Sequence, residues 1–92
     1  KHGVVGLTKY IASRWASYGI RCNSLSPGSV YKDDQNKSFL SEVSKRVPLS
    51  RLAYPNELKD AIKFLISSKN SFCTGQNIII DGGRSIIWEF LQ

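Results

Sequence analysis

Gly19-Ile20-Arg21-Cys22-Asn23-Ser24-Leu25-Ser26-Pro27-Gly28 is the stretch that decides the fold. Ile20 to Leu25 reads as a short strand, and the strand stops abruptly at a Pro-Gly pair. Proline at that point removes a backbone donor and fixes φ, while glycine lets the main chain lie close against a ligand. In an open α/β sheet, ligands bind just beyond the carboxyl ends of the strands. The stop is therefore a candidate floor for a site, and equally an ordinary strand-ending turn.

Upstream, Lys1 to about Tyr18 carries a helical pattern. Val4, Leu7, Ile11 and Trp15 form one apolar line, with Val5, Ala12 and Ala16 beside it. Two adjoining lines make a wider buried face than a surface helix needs, so this helix is expected to be covered on two sides. Gly19 is placed to end it, and the absence of a capping residue before Val4 predicts a helix that starts upstream of Lys1.

Downstream, Ser29 to Lys37 is polar and aperiodic and reads as a loop. Phe39, Leu40, Val43 and Val47 suggest a short helix capped by Asn36 or Ser38 and halted by Pro48. Pro55 opens a stronger helix, in which Leu58, Ala61, Ile62, Leu65 and Ile66 keep the helical spacing. Asn77 to Ile80 predicts a second strand, and its unbroken Ile78-Ile79-Ile80 fits a parallel strand covered on both faces. Asp81-Gly82-Gly83 reads as the turn that ends it, with a metal or phosphate contact as the alternative. The apolar tail Ile86-Ile87-Trp88-Glu89-Phe90-Leu91 has little of its own chain to bury it. Helices alternating with strands predict an α/β fold with a parallel sheet, yet two strands rarely stand alone. The chain therefore reads as part of a single domain whose remaining strands lie elsewhere.

At 92 residues the chain holds one small domain at most, and 41% hydrophobic residues exclude a disordered class. The formal charge of +6 raises the question of nucleic acid or an anionic membrane. Its thirteen Lys and Arg are spread from Lys1 to Arg84, which is the pattern of a solvated surface. Neither nucleic acid nor membrane is expected as a partner. Cys22 and Cys73 lack metal spacing and read as buried, reduced thiols, which fits a cytoplasmic compartment. His2 reads as a helix-surface residue, and Trp15 and Trp88 as packing residues.

Four stretches together resemble the C-terminal part of a short-chain dehydrogenase/reductase, a Rossmann-type oxidoreductase. Lys1-His2-Gly3-Val4-Val5-Gly6-Leu7-Thr8 looks like the run that begins at the lysine of that family's Tyr-x-x-x-Lys motif. Tyr18 to Gly28 resembles its strand ending in Pro-Gly. Pro48-Leu49-Ser50-Arg51-Leu52 with Tyr54-Pro55-Asn56-Glu57-Leu58 resembles the segment after the substrate loop, and Thr74 to Gly83 resembles the last strand. The four occur in family order across nearly the whole chain.

The resemblance implies a doubly wound parallel sheet of which residues 1–92 form the C-terminal portion, the dinucleotide-binding part lying upstream. It implies an enzyme that transfers a hydride between the nicotinamide of NAD or NADP and a carbonyl or alcohol substrate. Lys1 would be catalytic, lowering the pKa of a tyrosine one helical turn earlier, and would also hold the nicotinamide ribose. Pro27 and Gly28 would lie under the nicotinamide, with Val30 contacting its carboxamide through the main chain. Lys32 departs from the pattern, since many members place threonine there. The catalytic Asn, Ser and Tyr belong upstream, so the 92 residues alone are expected to be inactive. A homodimer or homotetramer is also implied, built partly on the tail. The alternative is a non-catalytic chain that acts through protein association or its basic surface.

Overall fold

A computed structural model describes residues 2–86. The helix α1 spans His2–Trp15, the strand β1 Ser24–Pro27, the helix α2 Lys37–Ser44, the helix α3 Pro55–Ile66 and the strand β2 Asn77–Ile80. Short 3-10 turns follow α1, α3 and β2. The two strands are neighbours in one sheet. Ser24 N donates to Gln76 O and Gly28 N to Ile80 O, both at 2.9 Å. The two bonds share one register offset, so the strands run parallel. The α/β alternation expected from the sequence is thus present, with α2 and α3 in the connection between the strands.

The described residues form two compact units, one of 2–26 with 60–78 and the other of 27–59 with 79–86. In the first unit, α1 turns its Thr8 and Ala12 inward. Thr8 satisfies its hydroxyl by donating to Val4 O at 2.7 Å. Gly19 ends the α1 region in the left-handed conformation, φ 79°, which glycine adopts without a steric cost. Val4 and Leu7, on the other expected apolar line, remain 59% and 57% exposed. Among the described residues nothing covers the Val4 and Leu7 end of that line, while Ile11 is half-buried.

Three sequence expectations change here. β1 begins at Ser24 rather than Ile20, because side chains replace the ladder over the preceding residues. Cys22 N donates to Thr74 Oγ1, and Gln76 N donates to Asn23 Oδ1, each at 3.0 Å. Cys22 and Cys73 are free thiols but half-buried rather than buried. Ile79 is 50% exposed, so among the described residues β2 is covered on one face only.

Arg21 organises the same unit. Its guanidinium donates to Leu65 O at 3.2 Å, Ser67 O at 3.2 Å and Cys73 O at 2.8 Å. It therefore satisfies carbonyls that the end of α3 leaves without intrahelical partners. Beside it, Ser24 and Ser26 are both buried on one side of β1. Both hydroxyls donate to Asn77 Oδ1 at 2.9 Å.

The second unit is built around Leu52, only 1% exposed, and Val47. α2 starts as expected at Asn36, whose Oδ1 accepts from Phe39 N at 2.7 Å. It ends at Ser44, before Pro48 can halt it. Arg46 N and Val47 N bond to Val43 O and Ser44 O, so the chain has already tightened into three-residue turns. α3 opens with Pro55, and Glu57 reaches back to accept from Tyr54 N at 2.9 Å. This is one half of a capping box, supplied by Glu57 because tyrosine cannot cap through its own side chain.

Candidate functional site

Three of the four residues singled out from the sequence meet at the end of β1. Pro27 is exposed, and Gly28 and Val30 are half-buried. The fourth, Lys1, lies outside the described residues, as does the tail from Ile87 onward. Gly28 is held in the ladder by its bond to Ile80 O. A β-carbon on Gly28 would stand 2.9 Å from both Cα and Cβ of Asp81. The absence of a side chain at 28 is thus required by the residue that follows β2. Pro27, one residue earlier, is left free to present its ring outward at the carboxyl end of a parallel strand.

Beyond the floor the chain is pinned again. Val30 pairs with Ala53 in a parallel bridge, with Tyr31 N donating to Ala53 O and Ala53 N to Ser29 O, both at 2.9 Å. The Val30 carbonyl accepts from Gln35 Nε2 at 3.4 Å, and Lys32 N donates to Gln35 Oε1 at 3.0 Å. Gln35 thereby shapes the turn at Lys32.

Behind the floor, the segment after Val47 is fastened by charge and ring stacking. Arg51 Nη1 donates to Glu57 Oε1 at 2.7 Å and Nη2 to Oε2 at 2.9 Å, a bidentate pair. Arg51 also lies 5.3 Å from the centre of the Tyr54 ring, which stacks on Tyr31 at 5.0 Å. The hydrogen bonds from Arg51, then that from Tyr54 N–H, hold the Glu57 carboxyl at about 2, below its ordinary 4.5. Arg51 is raised in turn, first by its hydrogen bond to Glu57. Glu57 could have been found from its spacing after Tyr54, but nothing in the sequence points to Arg51 as its partner.

A cleft of about 70 Å³ lies among Ser29, Leu49, Leu52, Ile80 and Asp81, with Arg51 and Glu57 at its border. Pockets that take whole ligands run to roughly 300–1,000 Å³. This cleft alone holds neither a dinucleotide nor a substrate of ordinary size. Asp81 turns its carboxylate back onto the chain, Oδ1 accepting from Gly83 N and Oδ2 from Ser85 N at 2.9 Å. The strand-ending turn read from the sequence is therefore what Asp81 makes. Among the described residues no group of three or more His, Cys, Asp or Glu could hold a metal. No helix among them is long and apolar enough to cross a membrane.

Comparison with known proteins follows the same line. Residues 1–85 match the family described as enoyl-(acyl carrier protein) reductase. A short-chain dehydrogenase of Neurospora crassa is 44% identical over 92 residues, covering 94% of this chain and 34% of that protein. The crystal structure of a short chain dehydrogenase family protein from Francisella tularensis superposes with a TM-score of 0.85 at 32% identity, over 92% of this chain and 41% of that one. The protein ElxO, solved with NADP bound, gives 0.82 at 31% identity over 91% of this chain and 36% of its own. The chain thus spans between a third and a half of the length of these proteins.

Proposed function

The chain belongs to the short-chain dehydrogenase/reductase family, and on that premise we propose that it is the C-terminal portion of an NAD(P)(H)-dependent oxidoreductase acting on a carbonyl or alcohol. The observation that carries the reading is Pro27, exposed beside a side-chain-free Gly28 at the carboxyl end of a parallel strand. A small apolar ring followed by bare main chain fits one face of a planar heteroaromatic ring. NADP bound to the structural neighbour ElxO supports a nicotinamide as that ring. When bound, the nicotinamide would exchange the hydride.

This chain's own residues would bind and orient. Pro27 and Gly28 would form the floor, and the main chain at Val30 would hold the carboxamide. Lys1 would hold the ribose and, as an ammonium, keep an upstream tyrosine phenol close to neutrality in pKa, ready to move a proton at the substrate oxygen. The remaining walls, including the phosphate loop and the rest of the sheet, would come from sequence upstream in the same domain. The uncovered line of Val4 and Leu7 on α1 supports burial against that domain or a second subunit, in keeping with a homodimer or homotetramer. The half-buried free thiols support a cytoplasmic setting.

The test is NADH and NADPH oxidation by the full-length protein carrying this chain, against a panel of aldehydes and ketones. Turnover is expected there, is lost in Lys1→Met, and is absent from the isolated 92 residues. A full-length protein that neither binds nor oxidises NADH or NADPH would refute the proposal.

A further inference from the structure

Residues 32–46 leave the floor after Tyr31 and rejoin the unit at Val47, so two stems hold them. The upstream stem is the pairing of Ser29 and Tyr31 with Ala53. The downstream stem rests on the turn after β2, where Leu49 N donates to Gly82 O at 3.1 Å. Gly82 sits at φ 65°, and a β-carbon there would lie 2.7 Å from Val47 Cγ1. One on Gly83, at φ 94°, would lie 2.9 Å from Pro48 Cγ. The carboxylate of Asp81 locks this turn through Gly83 N and Ser85 N. The backbone of the same Asp81 is what stands against Gly28.

From this contact pattern we propose that Asp81-Gly82-Gly83 is a positioning element for substrate, fixing the downstream stem of residues 32–46 against the Pro27-Gly28 floor. The proposal rests on the reading of Pro27-Gly28 given above. It assigns the turn to substrate rather than cofactor for a steric reason. A Gly82 side chain would strike Val47 and rest in ordinary contact with Leu49, and Gly28 is not among its nearest neighbours. The floor has its own bond from Gly28 N to Ile80 O, made two residues before Gly82.

Gly82→Ala in the full-length protein tests this, with NADH or NADPH and the carbonyl compound turned over fastest in the panel. The substrate KM is expected to rise about tenfold, while kcat and the Kd for the nucleotide stay within about twofold. Because the atom struck is Val47 Cγ1, the double variant Gly82→Ala with Val47→Ala recovers part of the loss in KM, the rest being the strain of alanine at φ 65°. An unchanged KM, a nucleotide Kd that rises in step with KM, or a double variant no better than the single one would each overturn the inference. If Gly82→Ala does not fold, Asp81→Asn adds no bulk, loosens the same turn and carries the same expected split. Absence of nucleotide-dependent turnover in the unchanged protein would refute the functional reading alone. Hydrogen exchange then decides the inference: amides of 32–46 exchange faster in Gly82→Ala and slow again in the double variant, and equal protection in all three overturns it.

Discussion

Gly28 and Asp81 approach so closely that a β-carbon on the first would lie 2.9 Å from the backbone Cα of the second. No rotamer change relieves such a contact, because the obstructing atom belongs to the main chain. The residue that follows β1 is therefore set by the residue that follows β2 as well as by any ligand. The floor of the proposed site and the packing of the sheet are one requirement.

Gly28→Ala should accordingly destabilise the protein by about 1–3 kcal/mol, as overpacking against a fixed wall does. Urea unfolding of the full-length protein measures it. A loss under half of that range would mean that the strands separate easily at their carboxyl ends.

Arg21→Ala should cost about 1–3 kcal/mol, since it leaves the carbonyls of Leu65, Ser67 and Cys73 without their charged donor. Arg21→Lys is expected to fall between, because an ammonium cannot match the planar fork that spans three acceptors. Thermal unfolding of the two variants beside the parent protein gives the order.

Asn77→Ala removes the shared acceptor of two buried hydroxyls and should cost about 1–3 kcal/mol. Restoring part of that loss by adding Ser24→Ala and Ser26→Ala, which removes the orphaned groups, distinguishes unmet hydrogen bonds from lost packing. No recovery in the triple variant would assign the cost to packing.

The Arg51–Glu57 pair sets a pH dependence whose sign follows from the depressed carboxyl. Its stabilising contribution is fully present above pH 4.5 and is lost as pH falls toward about 2, where the folded-state carboxyl takes up its proton. Both side chains are substantially solvent-exposed, so the contribution is small and weakens with salt. Glu57→Gln should flatten the stability profile between those two pH values and leave the Tyr54 N–H with an acceptor. Superimposable acid-unfolding profiles for the two proteins would contradict this.

Much of the fold was legible from short-range rules. The positions of Gly19, Asn36 and Pro55 marked helix ends because each acts on φ or on an amide within a few residues. The isoleucine run marked β2 for a similar reason. The start of β1 was misplaced because Asn23 and Thr74 substitute side-chain bonds for a ladder, across a separation of about fifty residues. The burial expected for Cys22 and Cys73 and for both faces of β2 was read from local apolar runs, which cannot say which neighbours are supplied by this stretch of chain.

For the site, the Pro27-Gly28 stop and its carboxyl-end location were visible in the order of elements. The restraints behind it were not. Arg51 on Glu57, Gly82 against Val47 and Asp81 against Gly28 join residues whose chemistry is unremarkable where each stands.

What the sequence determined by itself was the alternation of helix and strand, the caps, the abrupt end of β1 and the family resemblance. All of these depend on local backbone preference, periodicity or motif order. Tertiary structure alone decided that Gly28 must be glycine, that Asp81-Gly82-Gly83 braces Val47 to Leu49, and that Val4 and Leu7 of α1 stay open among the described residues. Those depend on which distant atoms come within a few ångströms, a matter of steric fit that no local pattern encodes.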